Sequence, residues 1–261
     1  MEPRLNVGSV AFTPWSFEEA SLYFRDTTNL SATVNTRRFG QAVHFANAYT
    51  IALADTNRSY RDLLARSDAI FADGLPVVWA ANRLYRTLGF RWERVYGPDF
   101  MRSVLSHATP SQRHFLLGST DDVLTSLRHS IGQEFPNAYI VGTYSPPFCE
   151  NPSLHEIAQR DARIRAASPT HVWVGMGTPK QDYEVVRIAQ QHRAFVFGVG
   201  AAFDYLSGAQ REAPRFVQNL GLQWLHRLLG EPRRLFHRYA WGNPRFLFSV
   251  WRGPQSGDSD K

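Results

Sequence analysis

Cysteine is almost missing from this chain: Cys149 stands alone among 261 residues. A single thiol excludes an intrachain disulfide and a cysteine-based metal cluster, and it suits a reducing cytoplasm. Long apolar runs are missing too. None approaches the roughly 20 residues that cross a bilayer, because Arg, Asp or Gly breaks each of them. Met1 to Ser16 has no basic start followed by an apolar core, so no signal peptide is read there. The expectation is a soluble or peripheral protein.

Several chemical signatures are also lacking. There is no His-x-x-x-His pair, and the Asp-x-Asp pattern occurs only as Asp258-Ser259-Asp260 in the polar terminus, so no metal site is assigned. The scattered histidines, His44, His114 and His171 among them, read as structural. No Gly-x-Ser-x-Gly elbow supports a serine nucleophile, and the P-loop spacing is absent. Gly198-Val-Gly-Ala-Ala-Phe203 is a partial dinucleotide fingerprint. Phe203 occupies the third glycine position and 218–225 contains no acid, which leaves it weak as a sign of NAD. Asp204, just after, reads as structural or as a ligand-contacting acid.

What is present is a well-filled core and an excess of positive charge. Hydrophobic residues make up 43% of the chain, enough for one α/β domain with a small appendage. From about Thr33, buried strands are expected at Ala42–Phe45, Ala69–Ala72, His114–Leu117, Tyr139–Gly142, Val172–Gly175 and Ala194–Gly198. Between them Ser59–Arg66, Pro76–Tyr85, Asp121–Phe135, Ser153–Ala167 and Lys180–His192 carry apolar residues at helical spacing. Strand followed by helix predicts a Rossmann-like α/β fold, with a mainly parallel sheet flanked by helices.

The formal charge of +6 invites anionic partners. Much of it gathers after Ala209. Arg211, Arg215, Arg227, Arg233, Arg234, Arg238, Arg245 and Arg252 face only Glu212 and Glu231, with Phe, Tyr and Trp interleaved. The division expected is therefore 1–209 as the α/β domain, 210–252 as a basic aromatic helical appendage, and 253–261 as a frayed end. The appendage suits docking on anionic headgroups, clamping of a diphosphate by arginine forks, or a merely solvated helix.

In open α/β sheets, ligands bind outside the carboxyl ends of the strands. Three such ends carry polar or glycine punctuation: Asn47, Asp73-Gly74, and Gly175-Met-Gly-Thr-Pro-Lys-Gln181. A partly buried carboxylate at Asp73 can serve as general base, and the Asp-Gly pair equally suits a plain turn. Around Gly177, small residues let a ligand approach the backbone. The helix begun near Pro179 offers free N–H groups, and Lys180 and Gln181 add a charge and an amide. An ordinary strand-to-helix turn accounts for the same residues.

Taken in order, these segments resemble the WecG/TagA/CpsF family of glycosyltransferases. The marks are Asn47, Ala72-Asp73-Gly74 with Val77-Val78-Trp79-Ala80, and Arg94-Val95-Tyr96-Gly97-Pro98-Asp99. Phe115-Leu-Leu-Gly118, Gly175 to Gln181, Gly198 to Asp204, Gly221 to Leu229 and Glu231-Pro-Arg-Arg234 complete them. The resemblance runs from about Val34 to Leu247. It implies an inverting, metal-independent transfer of a hexosyl unit (N-acetylmannosamine, its uronic acid, or glucose) from a UDP-sugar. The implied acceptor is a polyprenyl-diphosphate-linked sugar in bacterial surface polysaccharide synthesis, and no cofactor is implied.

By motif, Asp73 matches the catalytic base, and Asn47, Arg94 and Gln181 match pocket residues. Asp99, Gly177 and Lys180 are taken with them as substrate-binding. The family's tail cations fall on Arg227, Arg234 and His237, with Arg238 adjacent. The chain departs from the pattern at Phe45, where the family often has a hydroxyl residue, and at His237, where it has Arg. The implied location is the cytoplasm, peripheral on the inner face of the plasma membrane, and self-association through an apolar tail face stays open. A basic nucleic-acid-binding module is the runner-up, but it explains neither the strand-end acid nor the glycine turns, so nucleic acid is not an expected partner. A nicotinamide-dependent oxidoreductase is the second rival.

Overall fold

A computed structural model describes residues 4–30, 40–89, 91–149 and 152–253. Thr33 and Val34, the Asp258-Ser259-Asp260 pattern and the expected frayed end beyond Gly253 lie outside the described residues. A short hairpin, β1 Leu5–Val7 and β2 Val10–Phe12, precedes α1 Phe17–Arg25. β3 Gln41–Ala46 leads through α2 Ala48–Thr56 and α3 Arg58–Ala65 to β4 Ala69–Ala72. α4 Leu75–Leu84 and α5 Gly97–Ser106 then lead to β5 Arg113–Gly118. α6 Asp121–Glu134, β6 Tyr139–Tyr144, α7 Leu154–Ala167, β7 His171–Gly175, α8 Lys180–Gln191 and β8 Phe195–Gly198 complete the alternation. Among the described residues four helices follow β8: α9 Ala202–Leu206, α10 Arg215–Asn219, α11 Gln223–Gly230 and α12 Pro232–Arg252.

The six longer strands form one sheet in the order β4-β3-β8-β7-β5-β6. Its pairings β3 with β8, β8 with β7, β7 with β5 and β5 with β6 are parallel. This is the Rossmann-like α/β architecture, with helices after nearly every strand. Every expected strand is present to within two residues. Among the described residues no helix is long and apolar enough to cross a membrane.

The chain divides into two compact units. The larger takes its described residues from Glu18–His44 and Gly97–Arg211. Its strands are near-continuous apolar runs, as strands covered on both faces must be, and their aromatics interlock. Trp173 stacks on Phe197 with centroids 4.5 Å apart, and Phe24 meets Phe195 edge-on at 5.1 Å. Two helices here start on side-chain caps: Thr120 Oγ1 accepts from Val123 N–H, and Ser153 with Glu156 makes a reciprocal capping box.

The other unit takes its described residues from Met1–Phe17, Phe45–Tyr96 and Glu212–Lys261. Val7, Phe12, Ile51, Tyr60, Ile70, Val77, Trp92 and Phe246 share its core. Its long helix α12 buries Leu235, Gly242, Phe246 and Ser249, a stripe at helical spacing. That stripe lies on α2, where Gly242 leaves room for Tyr49: a Cβ at 242 would sit 3.0 Å from the Tyr49 ring. The basic tail therefore contributes to this unit's core.

Candidate active site

In the unit built around β4, four fully buried residues bring the chain to Asp73. The ladder continues one residue past the strand, since Asp73 N–H donates to Ala46 O at 2.9 Å. Asp73 is half-buried, and Gly74 then opens α4 with Pro76 in its first turn. Asn47, at the end of neighbouring β3, lies beside this turn: a Cβ on Gly74 would be 3.6 Å from the Asn47 Cβ. Its Oδ1 accepts from Tyr49 N–H at 3.0 Å and Thr50 N–H at 3.4 Å, capping α2. Asn47 and Asp73 thus share one rim, as the strand-end pattern predicts. Phe45, two residues earlier, is buried against Phe71 with centroids 6.0 Å apart.

Arg94 fixes the other end of the Asp73 peptide unit. Its Nε donates to Asp73 O at 2.7 Å, and its guanidinium lies 3.9 Å from the Tyr96 ring centroid. One terminal nitrogen donates to Gln218 Oε1 at 3.3 Å and the other to Gln223 Oε1. Gln218 and Gln223 went unremarked as site residues in the sequence. Gln223 stands inside the Gly221 to Leu229 motif, but nothing near Gln218 marks it, because a buried glutamine in a five-residue helix has no periodic signature.

The tail cations gather in the same unit. Arg238 lies over the Tyr49 ring, 4.2 Å from its centroid. Its pKa is lowered, first by burial and then by repulsion from Arg227 and Arg234, with Tyr239 and Tyr49 opposing. Arg234 is exposed and pairs with Glu231; His237 is exposed. The chain of contacts Asn47, Tyr49, Arg238 links this one cation to the Asp73 rim.

In the larger unit, the turn after β7 is held by Gln181. Its Oε1 accepts from Gly177 N–H at 3.0 Å and its Nε2 donates to Gly198 O at 3.1 Å. Only 4% of Gln181 is exposed, so it braces two glycine turns. Gly177 has φ +77° with open space where a Cβ would stand, which is backbone a ligand can approach. Lys180 Nζ donates to Cys149 O at 3.0 Å beside the Phe148 ring. Asp99, on α5, accepts from Arg102 at 3.2 Å. Beneath the turn, His44 Nδ1 and Asp182 Oδ1 form a buried contact at 3.0 Å.

The sequence profile described as the glycosyl transferase WecG/TagA/CpsF family matches residues 9–258. The chain belongs to that family. It is a glycosyltransferase, which sets aside the nucleic-acid-binding and oxidoreductase readings. Among similar proteins is the N-acetylglucosaminyldiphosphoundecaprenol N-acetyl-beta-D-mannosaminyltransferase of Staphylococcus aureus strain MW2. It is 29% identical over 192 residues, covering 73% of this chain and 72% of the relative. The proteins of the same name from strains NCTC 8325 and COL match with the same identity and coverage. In this WecG/TagA/CpsF transferase the motif residues thus divide by role. Asn47 and Asp73 share a rim in one unit, braced by Arg94 and approached by Arg238 through Tyr49, and Gly177, Lys180 and Gln181 shape a turn in the other.

Proposed function

We propose that this transferase moves a hexosyl unit, N-acetylmannosamine, its uronic acid or glucose, from a UDP-sugar to a polyprenyl-diphosphate-linked sugar. The transfer inverts the anomeric centre, needs no metal, and serves bacterial surface polysaccharide synthesis. The observation that carries this reading is a half-buried carboxylate, Asp73, pinned at both backbone ends beside Asn47, whose helix receives Arg238 on the Tyr49 ring. The relatives, N-acetylmannosaminyltransferases acting on a lipid-linked N-acetylglucosamine diphosphate, support the acceptor class and one of the three sugars.

Asp73 takes the proton of the acceptor hydroxyl as that oxygen attacks the anomeric carbon, and UDP departs from the opposite face. Negative charge grows on the leaving diphosphate. The tail arginines offset it, and one such donor typically accounts for about 3 kcal/mol of barrier.

On this reading 1–209 is the catalytic region, and 210–252 both closes on the diphosphate and docks on the membrane. α12 exposes Phe236, Leu247, Phe248 and Trp251 among Arg233, Arg245 and Arg252. Rings at the interface with arginines around them suit an anionic inner leaflet, at about 1 kcal/mol for each basic residue near the surface. The deciding experiment offers a panel of UDP-sugars with a synthetic lipid-diphosphate-GlcNAc. One donor of the named set yields a disaccharide-diphosphate-lipid; no product from any of them ends the reading.

A further inference from the structure

We infer that Gln218 and Gln223, on the tail helices α10 and α11, are positioning residues that orient Asp73 through Arg94; the inference rests on the proposed function only in giving Asp73 its task as base. Arg94 belongs to a stretch, 91–96, that has neither helix nor strand, so side-chain partners set where its guanidinium stands. Those partners are themselves fixed. Gln218 is 4% exposed, and its Nε2 donates to Ala213 O at 2.8 Å and Glu212 Oε1 at 3.3 Å, which turns its oxygen to Arg94. The Gln223 Nε2 donates to the Tyr96 hydroxyl at 2.5 Å, which turns its oxygen the same way.

Both amides therefore present acceptors to the arginine, and the Tyr96 ring supports its flat face. With its terminal nitrogens so held, the Nε–H points at the Asp73 carbonyl. Three of the five guanidinium N–H groups are thus engaged by protein acceptors, one on each nitrogen. Arg94 accordingly acts on the peptide unit of the base. Placing a reacting group wrongly by about 1 Å costs on the order of 100-fold in rate, so a seated tail becomes a condition for turnover.

The test compares Gln223→Met, which keeps side-chain length but loses the strong acceptor, with Gln223→Glu, whose carboxylate accepts from both Arg94 and the Tyr96 hydroxyl. Steady-state transfer is measured together with hydrogen exchange of the peptide spanning 69–76. For Gln223→Met the expected result is a kcat about tenfold lower or more. Donor KM should stay within about twofold, as for an interaction that acts only on the chemical step, and exchange at 69–76 should be faster. Gln223→Glu should restore both readouts. On an Arg94→Lys background, Gln223→Met should add little, because both changes break one linkage. A kcat in Gln223→Met that matches wild type, a loss mainly in KM, equal loss in the Glu variant, or unaltered exchange overturns the inference. Should wild-type enzyme itself show no transfer, the assigned activity falls and the exchange comparison alone decides the linkage.

Discussion

Arg238 rests over the face of Tyr49, its guanidinium carbon 4.2 Å from the ring centroid, while the Tyr49 amide is held by Asn47. One aromatic residue thus ties the last long helix to the end of β3. A partly desolvated cation–π contact is worth about 1–2 kcal/mol. Tyr49→Leu is expected to weaken UDP binding by about tenfold, since 1.4 kcal/mol is tenfold in affinity. Calorimetric titration with UDP checks this, and unchanged affinity would detach Arg238 from the nucleotide.

Asp73→Asn should keep UDP-sugar affinity and lose transfer. General-base catalysis contributes about 100- to 10,000-fold, so turnover should fall within that range while binding stays within about twofold. Near wild-type turnover removes Asp73 from the chemistry.

Acid should destabilise the larger unit through its buried histidines. His171 donates from Nε2 to Phe24 O at 2.8 Å and lies 2.7 Å from Thr170 Oγ1, so both ring nitrogens are satisfied in the neutral form. Burial lowers its pKa to about 4, partly opposed by the Phe24 carbonyl. Burial also pushes His114 well below its ordinary value, with His171 adding repulsion. A histidine depressed in the folded state is protonated first in the unfolded chain. Its contribution is whole above pH 6.5, shrinks as pH falls toward 4, and then levels. Between pH 7 and 5 His171 alone should remove about 2 kcal/mol. Urea unfolding at the two pH values measures this, and His171→Gln should flatten the dependence.

Release from vesicles is better tested on the surface of α12 than by truncation. Deleting the tail would strip Leu235 and Phe246 from a core, confounding docking with unfolding. The combined change Phe236→Ser, Leu247→Ser and Trp251→Ser touches only exposed side chains, Trp251 being 81% exposed. It should abolish co-sedimentation with anionic vesicles and leave the thermal midpoint within about 2 °C, as surface changes usually do. Persistent co-sedimentation would refute docking through this face.

The sheet was readable because its strands are short apolar runs punctuated at their carboxyl ends, and Asn47 and Asp73 were readable for the same reason. Helix α2 was not. Ala48-Tyr-Thr-Ile-Ala-Leu-Ala-Asp-Thr56 is apolar nearly all round and leaves no polar face to mark its period. α5 opens on Gly97-Pro98, which reads as a turn until Pro98 is seen to sit in the first helical turn. Arg94 was legible as a site residue but not in its partners, because Gln218 and Gln223 lie 124 and 129 positions away. The tail's charge suggested an exposed appendage, yet the stripe Leu235, Gly242, Phe246 and Ser249 gives it a buried side as well.

The brace at position 181 carries a lesson for anyone building variant libraries of this enzyme. Its amide accepts from one turn and donates to another. Glutamate would lose the donor, leucine would lose both functions, and asparagine falls one methylene short. Neutral histidine alone among the others pairs an acceptor with a donor on separate atoms, and it holds them on a rigid ring whose directions differ from those of the amide. Selection for altered sugar preference should therefore find this codon frozen and turn instead to positions such as Phe45, whose apolar packing tolerates exchange.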